Sequence, residues 1–238
     1  MILERVRERL ANADDIQRET GFPYCTITYA QSIDGSIAAG AGLPLAISGT
    51  ESMKMTHHLR ANHDAILVGI ETVLSDDPKL TVRLVDGEHP RPIVLDTRLR
   101  CPTFARVLEN PKRPWVITGD DACPNRKSEL EQSGARVYPI RKNENGHLDL
   151  SQALRTLGQL GIRSVMIEGG ARIIAGFLER GLGNQLIVTT SPMLVGGVRP
   201  VGNPSSSGKY PSLSRAVYQQ WGPDMVMAAD LEWSSNEP

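Results

Sequence analysis

The stretch of residues 164–178 constrains the fold of this chain more than any other. It begins with an apolar run, residues 165–167, typical of a buried strand, and ends with helical apolar spacing over residues 171–178. Gly169 and Gly170 join the two. A strand that enters a helix through paired glycines brings unpaired helix N–H groups to the edge of a sheet, where they can bind a phosphate. Because the spacing is not G-x-G-x-x-G, an ordinary tight turn stays open as the alternative.

Short apolar runs alternate with helical patterns along most of the chain. This alternation favours an α/β fold with a largely parallel sheet and helices on both faces. Strands are predicted at residues 24–30, 64–69, 92–96, 115–118, 135–140, 165–167, 185–190 and 225–231, with a short one ending at Arg83, and helices at about 50–62, 125–133, 149–160 and 171–178. No helical pattern separates the last two strands, so we expect both to be antiparallel additions at one edge. Residues 36–47 and 202–214 are predicted loops.

The N-terminal residues 1–22 are predicted as one amphipathic helix. Ile2, Val6, Leu10 and Ile16 form a thin apolar stripe among charges. We favour a surface helix over a cap on the domain or a dimer contact. No repeat or low-complexity linker divides residues 23–238, which we assign to a single domain.

The composition points away from nucleic acid and from membranes. The formal net charge is −1 and charged residues make up 22% of the 238, so neither an anionic polymer nor an anionic membrane is an expected partner. We expect no membrane span, because no apolar run approaches about 18 residues. The first nine residues lack the apolar core of a signal peptide, and the three cysteines form no C-x-x-C pair. We therefore expect a cytoplasmic protein with reduced thiols.

Polar residues or glycines follow several predicted strands at their carboxyl ends. In an open α/β sheet, ligands bind at this edge, so the convergence indicates a binding site. The residues are Ser32 and Asp34 after the first strand, Gly69 and Thr72 after the second, Asp96 and Thr97 after the third, and Glu168, Gly169 and Gly170 after residues 165–167.

Arginines near these strand ends allow two interpretations. Arg60 and Arg83 have the fork geometry that holds a phosphate with two hydrogen bonds. Arg98 and Arg100 follow a strand end and could bind the 2′-phosphate of NADP. From the residues alone, we favour solvated surface charge for each of them.

Two further clusters contain side chains that are suited to catalysis or metal binding. The adjacent Asp76 and Asp77 are either a carboxylate pair for acid–base work or a helix end before a proline turn. His57, His58 and His63 do not share one helix face as an i, i+4 metal pair would. We therefore expect packed or solvated histidines and no metal site.

Together, these stretches resemble the pyrimidine reductase family of riboflavin biosynthesis, found free-standing or fused to a deaminase. The matching segments occur in family order between about residues 24 and 200, and the pattern of residues 72–83 is highly specific. They are residues 32–35, 59–61, 72–83, 92–96, 167–170 and 192–197. The resemblance implies a dihydrofolate-reductase-like fold, NADPH as hydride donor, a homodimer, and reduction of the ribosyl group of a ribosylaminopyrimidine 5′-phosphate to ribityl.

The resemblance also implies roles for individual residues. Cofactor contacts would come from Thr72, Asp76, Thr97, Gly169, Gly170, Ala171, Arg172, Ile173, Ile174, Ala175 and Gly176. Substrate contacts would come from Arg60, Leu80, Arg83 and Glu168. Asp34 and Glu168 are the candidate catalytic residues, which would orient or protonate the ring-opened sugar.

The chain departs from the family pattern in one loop. Pro44 and Ala46 stand where the family often has a polar substrate contact and an aromatic residue near the cofactor. Two alternatives therefore stay open: a paralogous NADPH-dependent reductase of another heterocycle or carbonyl compound, and a non-catalytic nucleotide-binding protein of the same fold.

Overall fold

The computed structural model describes residues 1–40, 43, 45–200 and 211–233. Nine strands form one sheet in the order β5-β4-β3-β2-β6-β1-β7-β9-β8. The strands are β1 Tyr24–Ser32, β2 Ala65–Gly69, β3 Arg91–Leu95, β4 Trp115–Gly119, β5 Arg136–Ile140, β6 Ser164–Glu168, β7 Gln185–Ser191, β8 Pro211–Trp221 and β9 Asp224–Trp233.

The sheet is parallel from β5 to β7, and β9 and β8 add an antiparallel edge. This confirms the predicted mostly parallel sheet with antiparallel C-terminal strands. One detail of the prediction is wrong, because β7 runs parallel to β1 and only its other neighbour, β9, is antiparallel. Strand β8 is not among the predicted strands, and its first residues, 211–214, belong to the predicted loop 202–214. Most of β8 is exposed, so it lacks the apolar alternation by which strands are recognised.

Helices cover both faces of the sheet, as predicted. Helices α6 and α7 bury Leu154 and Phe177 against one face, and α4 and α5 bury Val73 and Leu130 against the other. The helices are α1 Ile2–Leu10, α2 Ala13–Thr20, α3 Thr50–Asn62, α4 Ile70–Asp76, α5 Pro124–Gln132, α6 Leu150–Gln159 and α7 Ala171–Glu179, with a 3₁₀ turn at Arg106–Glu109. No helix among the described residues has the length and apolarity to cross a bilayer.

The N-terminal segment corrects two predictions. It forms two helices, α1 and α2, where one was expected, because the chain turns at residues 11–12. Helix α1 is also packed, not merely a surface helix: Ile2 and Val6 are buried in a cluster with α3, β7 and β9. Arg5 and Arg9 donate hydrogen bonds to the buried carboxylate of Asp230 on β9.

The short strand predicted to end at Arg83 does not form. Residues 77–90 contain no strand, and Leu80 has a φ of +52°, a left-handed conformation that interrupts an extended pleat. The carbonyl groups of Lys79 and Leu80 accept hydrogen bonds from the side-chain amide of Asn110 instead of from a neighbouring strand. Side-chain hydrogen bonds, and not strand pairing, therefore hold this part of the chain. Of the predicted loop 202–214, residues 202–210 lie outside the described residues.

Candidate active site

A cleft of about 1620 Å³ lies at the carboxyl ends of β2, β3 and β6. It is larger than the pockets of about 300–1,000 Å³ that hold drug-sized ligands. Most of the residues predicted to bind a cofactor line it, namely Thr72, Asp76, Thr97, Gly170, Ala171, Arg172, Ile173, Ala175 and Gly176. Gly169 and Ile174 do not, and the side chain of Ile174 is fully buried in the core, where it cannot reach a ligand.

The β6–α7 turn has the geometry of an anion site. Gly169 and Gly170 have φ angles of +94° and +85°, which only glycine adopts easily. Gly170 is the N-cap of α7 and provides no side-chain acceptor, so the first N–H groups of the helix face the cleft without a capping oxygen. A Cβ on Gly170 would lie 3.4 Å from Thr72 Oγ1. The turn therefore has no side chain of its own that would block a phosphate from its N–H groups.

Close packing of α7 on β2 sets the width of this end of the cleft. A Cβ on Gly69, the last residue of β2, would lie 2.8 Å from Cγ1 of Ile173. Only glycine at this position lets the first turn of α7 approach the start of α4, where Thr72 lies. Because Gly69 has no side chain, the first turn of α7 and the start of α4 pack closely together. This packing sets the distance between the two walls of the cleft.

The cleft also has basic side chains in its lining. Arg98, Arg100 and Lys142 line it. Arg100 is paired with Glu71 and Lys142 with Asp121. Arg98 has no carboxylate within salt-bridge distance among the described residues, so its charge is available to an anion.

Arg60 and Glu168 form a bidentate ion pair beside the cleft. Arg60 Nε lies 2.9 Å from Glu168 Oε2, and Nη2 binds the other carboxylate oxygen. A third donor, Nη1, lies 3.2 Å from the carbonyl oxygen of Thr81. The side chain of Arg60 is only 9% exposed. Arg60 is therefore neither a surface charge nor a free phosphate-binding group, and its donors hold Glu168 and the segment of residues 80–83.

The remaining predicted substrate residues lie next to this pair. Leu80 is buried, and Arg83 is exposed with its Nη1 donating to Thr81 Oγ1 at 2.8 Å. None of the four predicted substrate residues lines the cleft itself, although Glu168 directly precedes the Gly169–Gly170 turn. The structure thus separates the predicted cofactor groove from an adjoining polar corner.

Four hydrogen bonds within the protein hold the carboxylate of Asp34, and they argue against the proton-donor role predicted for it. Its Oδ1 accepts hydrogen bonds from Ser32 Oγ at 2.6 Å and from the Val195 N–H at 3.0 Å. Its Oδ2 accepts from Ser36 Oγ at 2.8 Å and from the Gly196 N–H at 2.9 Å. These donors, Ser32 first, hold the pKa of Asp34 far below its usual range. The carboxyl group therefore carries no proton to donate at neutral pH, and it clamps the end of β1 to the loop after β7.

Comparison with known proteins agrees with this geometry. The family model described as the RibD C-terminal domain matches residues 23–227. The chain belongs to this family. Its members include reductases, so the predictions of an oxidoreductase and of the pyrimidine reductase family are confirmed.

Two relatives of the RibD C-terminal domain family carry the same name, 2,5-diamino-6-ribosylamino-4(3H)-pyrimidinone 5′-phosphate reductase. The protein of Methanothermobacter thermautotrophicus is 39% identical over 179 residues, which cover 74% of this chain and 80% of the relative. The protein of Debaryomyces hansenii is 40% identical over 190 residues, which cover 73% of this chain and 76% of the relative.

Solved structures place the chain in the same family and fold. The riboflavin biosynthesis reductase Rib7 of Saccharomyces cerevisiae matches with a TM-score of 0.72 and 29% identity over 90% of this chain and 91% of that one. Dihydrofolate reductase of Enterococcus faecalis matches with a TM-score of 0.50 and 13% identity over 90% of this chain and 98% of that one. The latter likeness concerns the fold alone, and the predicted dihydrofolate-reductase-like fold is confirmed.

The other clusters of this RibD C-terminal domain have structural roles. Asp77 ends α4 with a φ of +40°, and its Oδ1 accepts the Arg106 N–H at 2.8 Å, so it belongs to a turn and not to a carboxylate dyad with Asp76. His57 and His63 are buried, as expected of packed histidines. Ala46 is exposed near the cleft, and Pro44 lies outside the described residues.

Two features of the site were not predicted. Residues of the loop after β5, Asn145, Gly146 and His147, line the cleft together with Lys142. Their polar, turn-rich sequence predicts a loop and gives no sign of where that loop packs. The second feature is the imidazole of His57, which accepts the backbone N–H of Arg83 at 2.9 Å.

Proposed function

We propose that this protein reduces the ribosyl group of 2,5-diamino-6-ribosylamino-4(3H)-pyrimidinone 5′-phosphate to ribityl, with NADPH as the hydride donor. The single observation that carries the proposal is the juxtaposition of the cleft, with its bare α7 N-terminus, and the Arg60–Glu168 corner. The aminated substrate is proposed because the free-standing relatives at 39% and 40% identity carry its name.

The residues of the cleft fit a dinucleotide phosphate. The diphosphate is assigned to the N–H groups at the start of α7, where the helix dipole favours an anion. The polar side chains of Thr72, Asp76 and Thr97 are within the same groove for ribose and nicotinamide groups. Arg98 is assigned to the 2′-phosphate, because it has no carboxylate partner among the residues described. When bound, NADPH supplies the hydride for C1′ of the sugar.

The protein's own contribution to the reaction is mainly positioning. Glu168, aligned by Arg60, accepts hydrogen bonds from sugar hydroxyl groups and places C1′ beside the cleft. Arg83 holds the 5′-phosphate, and Leu80, whose side chain is buried in the core, supports the segment that carries Arg83. The hydride carries two electrons to C1′, and the ring oxygen released on opening takes up one proton, which balances the reduction.

We further propose that the protein is a homodimer through β8. This strand lies at the end of the sheet and pairs only with β9 among the described residues. An exposed edge strand invites pairing with another chain. Leu213, Val217 and Tyr218 on β8 are 43%, 36% and 67% exposed, and their apolar surface suits a second copy of the same strand. A cytoplasmic location is proposed because Cys25, Cys101 and Cys123 are all unpaired.

The activity is tested with purified protein, NADPH and the aminated and deaminated ribosylaminopyrimidine 5′-phosphates, each followed by loss of NADPH absorbance and by identification of the ribityl product. We expect a higher kcat/KM with the aminated compound. Complementation of a riboflavin auxotroph that lacks only the reductase provides the test in cells. Saturable NADPH binding with no turnover of either pyrimidine would contradict the proposed substrate.

Sedimentation of the protein with and without Tyr218→Lys tests the dimer.

A further inference from the structure

Two histidines hold the backbone of the segment that carries Arg83. The Val82 N–H donates to His89 Nδ1 at 3.1 Å, and the Arg83 N–H donates to His57 Nδ1 at 2.9 Å. The segment belongs to no strand, so no carbonyl groups of a neighbouring strand serve these donors. The two imidazole rings therefore serve as the hydrogen-bond acceptors in place of such carbonyl groups.

His57 is suited to accept because its ring is neutral. Its side chain is almost fully buried, one turn before Arg60 on α3. Burial and the nearby charges of Arg60 and Arg83 lower its pKa to about 4, against an opposing effect of Glu168 and a small further lowering by His58. In a neutral ring with Nδ1 as acceptor, the proton resides on Nε2, whereas a charged imidazole has no acceptor at all.

We propose that His57 is a positioning residue for the substrate, which fixes the main chain of Arg83 so that its guanidinium group meets the 5′-phosphate. The inference rests on the proposed function, in which Arg83 binds that phosphate. The side chain of Arg83 is exposed and is tied only to Thr81 among the described residues, so its placement depends on the backbone beneath it. Ordering that backbone in advance lowers the entropy lost on binding.

The test compares His57→Asn with His57→Gln. The side-chain oxygen of asparagine reaches the position of Nδ1, whereas that of glutamine reaches the position of Nε2. We expect His57→Gln to raise the KM for the phosphorylated substrate about tenfold, which corresponds to about 1.4 kcal/mol, with kcat and the KM for NADPH unchanged. His57→Asn should stay near the wild type. With the dephosphorylated nucleoside, both variants should match the wild type. Equal KM values in the two variants would overturn the proposal.

Hydrogen exchange provides a readout that does not need activity. Amide exchange over residues 80–84, measured by mass spectrometry, should be faster in His57→Gln than in His57→Asn and the wild type. The same pair of substitutions at His89 tests the second anchor. Because His89 is only half-buried, these variants carry a lower risk of unfolding. If exchange differs as expected but the wild type reduces neither pyrimidine, the proposed function fails and the anchoring of Arg83 stands. If exchange is the same in all variants, the anchoring itself is refuted.

Discussion

Arg60 Nε lies 2.9 Å from Glu168 Oε2, in a bidentate pair that joins the last turn of α3 to the end of β6. The side chains are 9% and 24% exposed, so the more open end of the pair is the carboxylate. Both oxygens of Glu168 are oriented by one rigid fork. The pair therefore presents an oriented carboxylate, with its charge balanced by Arg60, immediately before the Gly169–Gly170 turn.

Glu168→Gln should impair both folding and activity. The substitution leaves the buried Arg60 without a counter-charge, and breaking such a pair costs about 3–5 kcal/mol of unfolding free energy. It also replaces a charged acceptor for the sugar hydroxyl groups by a neutral one, which should lower kcat/KM by at least about tenfold. Urea unfolding and steady-state kinetics measure the two effects. An unchanged kcat/KM would remove Glu168 from the mechanism.

The double variant Arg60→Met with Glu168→Leu separates the two roles. Apolar replacement of a whole buried ion pair is often neutral or stabilising, so we expect stability near that of the wild type. Activity should remain low, because the acceptor is gone. A stable double variant with wild-type activity would mean that the pair serves only the fold.

Gly170→Ala should weaken NADPH binding. The added Cβ would lie 3.4 Å from Thr72 Oγ1, in the wall of the cleft, on a residue with a φ of +85°. We expect the Kd for NADPH, measured by fluorescence titration, to rise about tenfold, which corresponds to about 1.4 kcal/mol.

Gly134→Ala is the matched control. Gly134 has a φ of +105°, and its Cβ position has no atom within 4 Å. It carries a similar backbone strain, of about 1–2 kcal/mol, but lies outside the cleft. Its variant should be less stable with an unchanged Kd for NADPH. An equal rise in Kd in both variants would show that the effect of Gly170→Ala is one of stability.

The central sheet was predictable because its strands are buried apolar runs. The bounds of β2, β3 and β5 agree with prediction to within one residue. Strand β8 was not predictable from the sequence, because both of its faces are largely exposed. Its register also depends on β9, which lies after it in the chain. Burial leaves a periodic signal in the sequence, and pairing at an edge does not.

The site was predictable only where chemistry is local. The turn of Gly169 and Gly170 follows from adjacent residues. The partnership of Arg60 with Glu168 joins residues 108 positions apart, and it depends on how α3 packs beside β6. Asp34 combines both cases: Ser32 and Ser36 are near it in sequence, but the N–H donors from the loop after β7 could not be foreseen. From the sequence alone, without these two donors, Asp34 is a candidate to orient or protonate the sugar.

Asp34→Asn should destabilise the protein in a pH-dependent way. The pKa of Asp34 is held low in the folded state, mainly by Ser32, so its contribution to stability is present above the unfolded pKa of about 3.9. That contribution is lost as the pH falls below this value. The variant should be less stable than the wild type at pH 7, with a difference that narrows in acid. Urea midpoints over a pH series measure this, and a constant difference would contradict the clamp.

Arg98→Ala should reduce the preference for NADPH over NADH. The ratio of kcat/KM for NADPH to that for NADH should fall about tenfold. This is the effect expected when a hydrogen bond to a charged group, which contributes about 1.5–3 kcal/mol, is lost. Arg100→Ala is the control, because the guanidinium group of Arg100 is bound to Glu71 at the surface. Equal losses in both variants would refute the assignment of the 2′-phosphate to Arg98.

His63 should contribute a distinct acid sensitivity. Its ring is buried, with Nδ1 donating to the Leu59 carbonyl oxygen at 2.7 Å and Nε2 accepting from Thr26 Oγ1 at 2.9 Å. Burial lowers its pKa to about 4, whereas the unfolded value is about 6.5. Between these values the unfolded chain binds the additional proton, so stability is full above the upper value and is lost as the pH falls towards the lower one.

Protonation of His63 alone changes the free energy of unfolding by at most about 1.4 kcal/mol per pH unit. His63→Gln should be less stable at pH 7, because its side chain cannot make both hydrogen bonds, yet its stability should fall less steeply in this window. Urea unfolding at intervals across the window measures the slope for each protein. His57, with its pKa also lowered to about 4, keeps part of the slope in the variant. Identical slopes in the wild type and His63→Gln would mean that His63 does not resist protonation in the folded state.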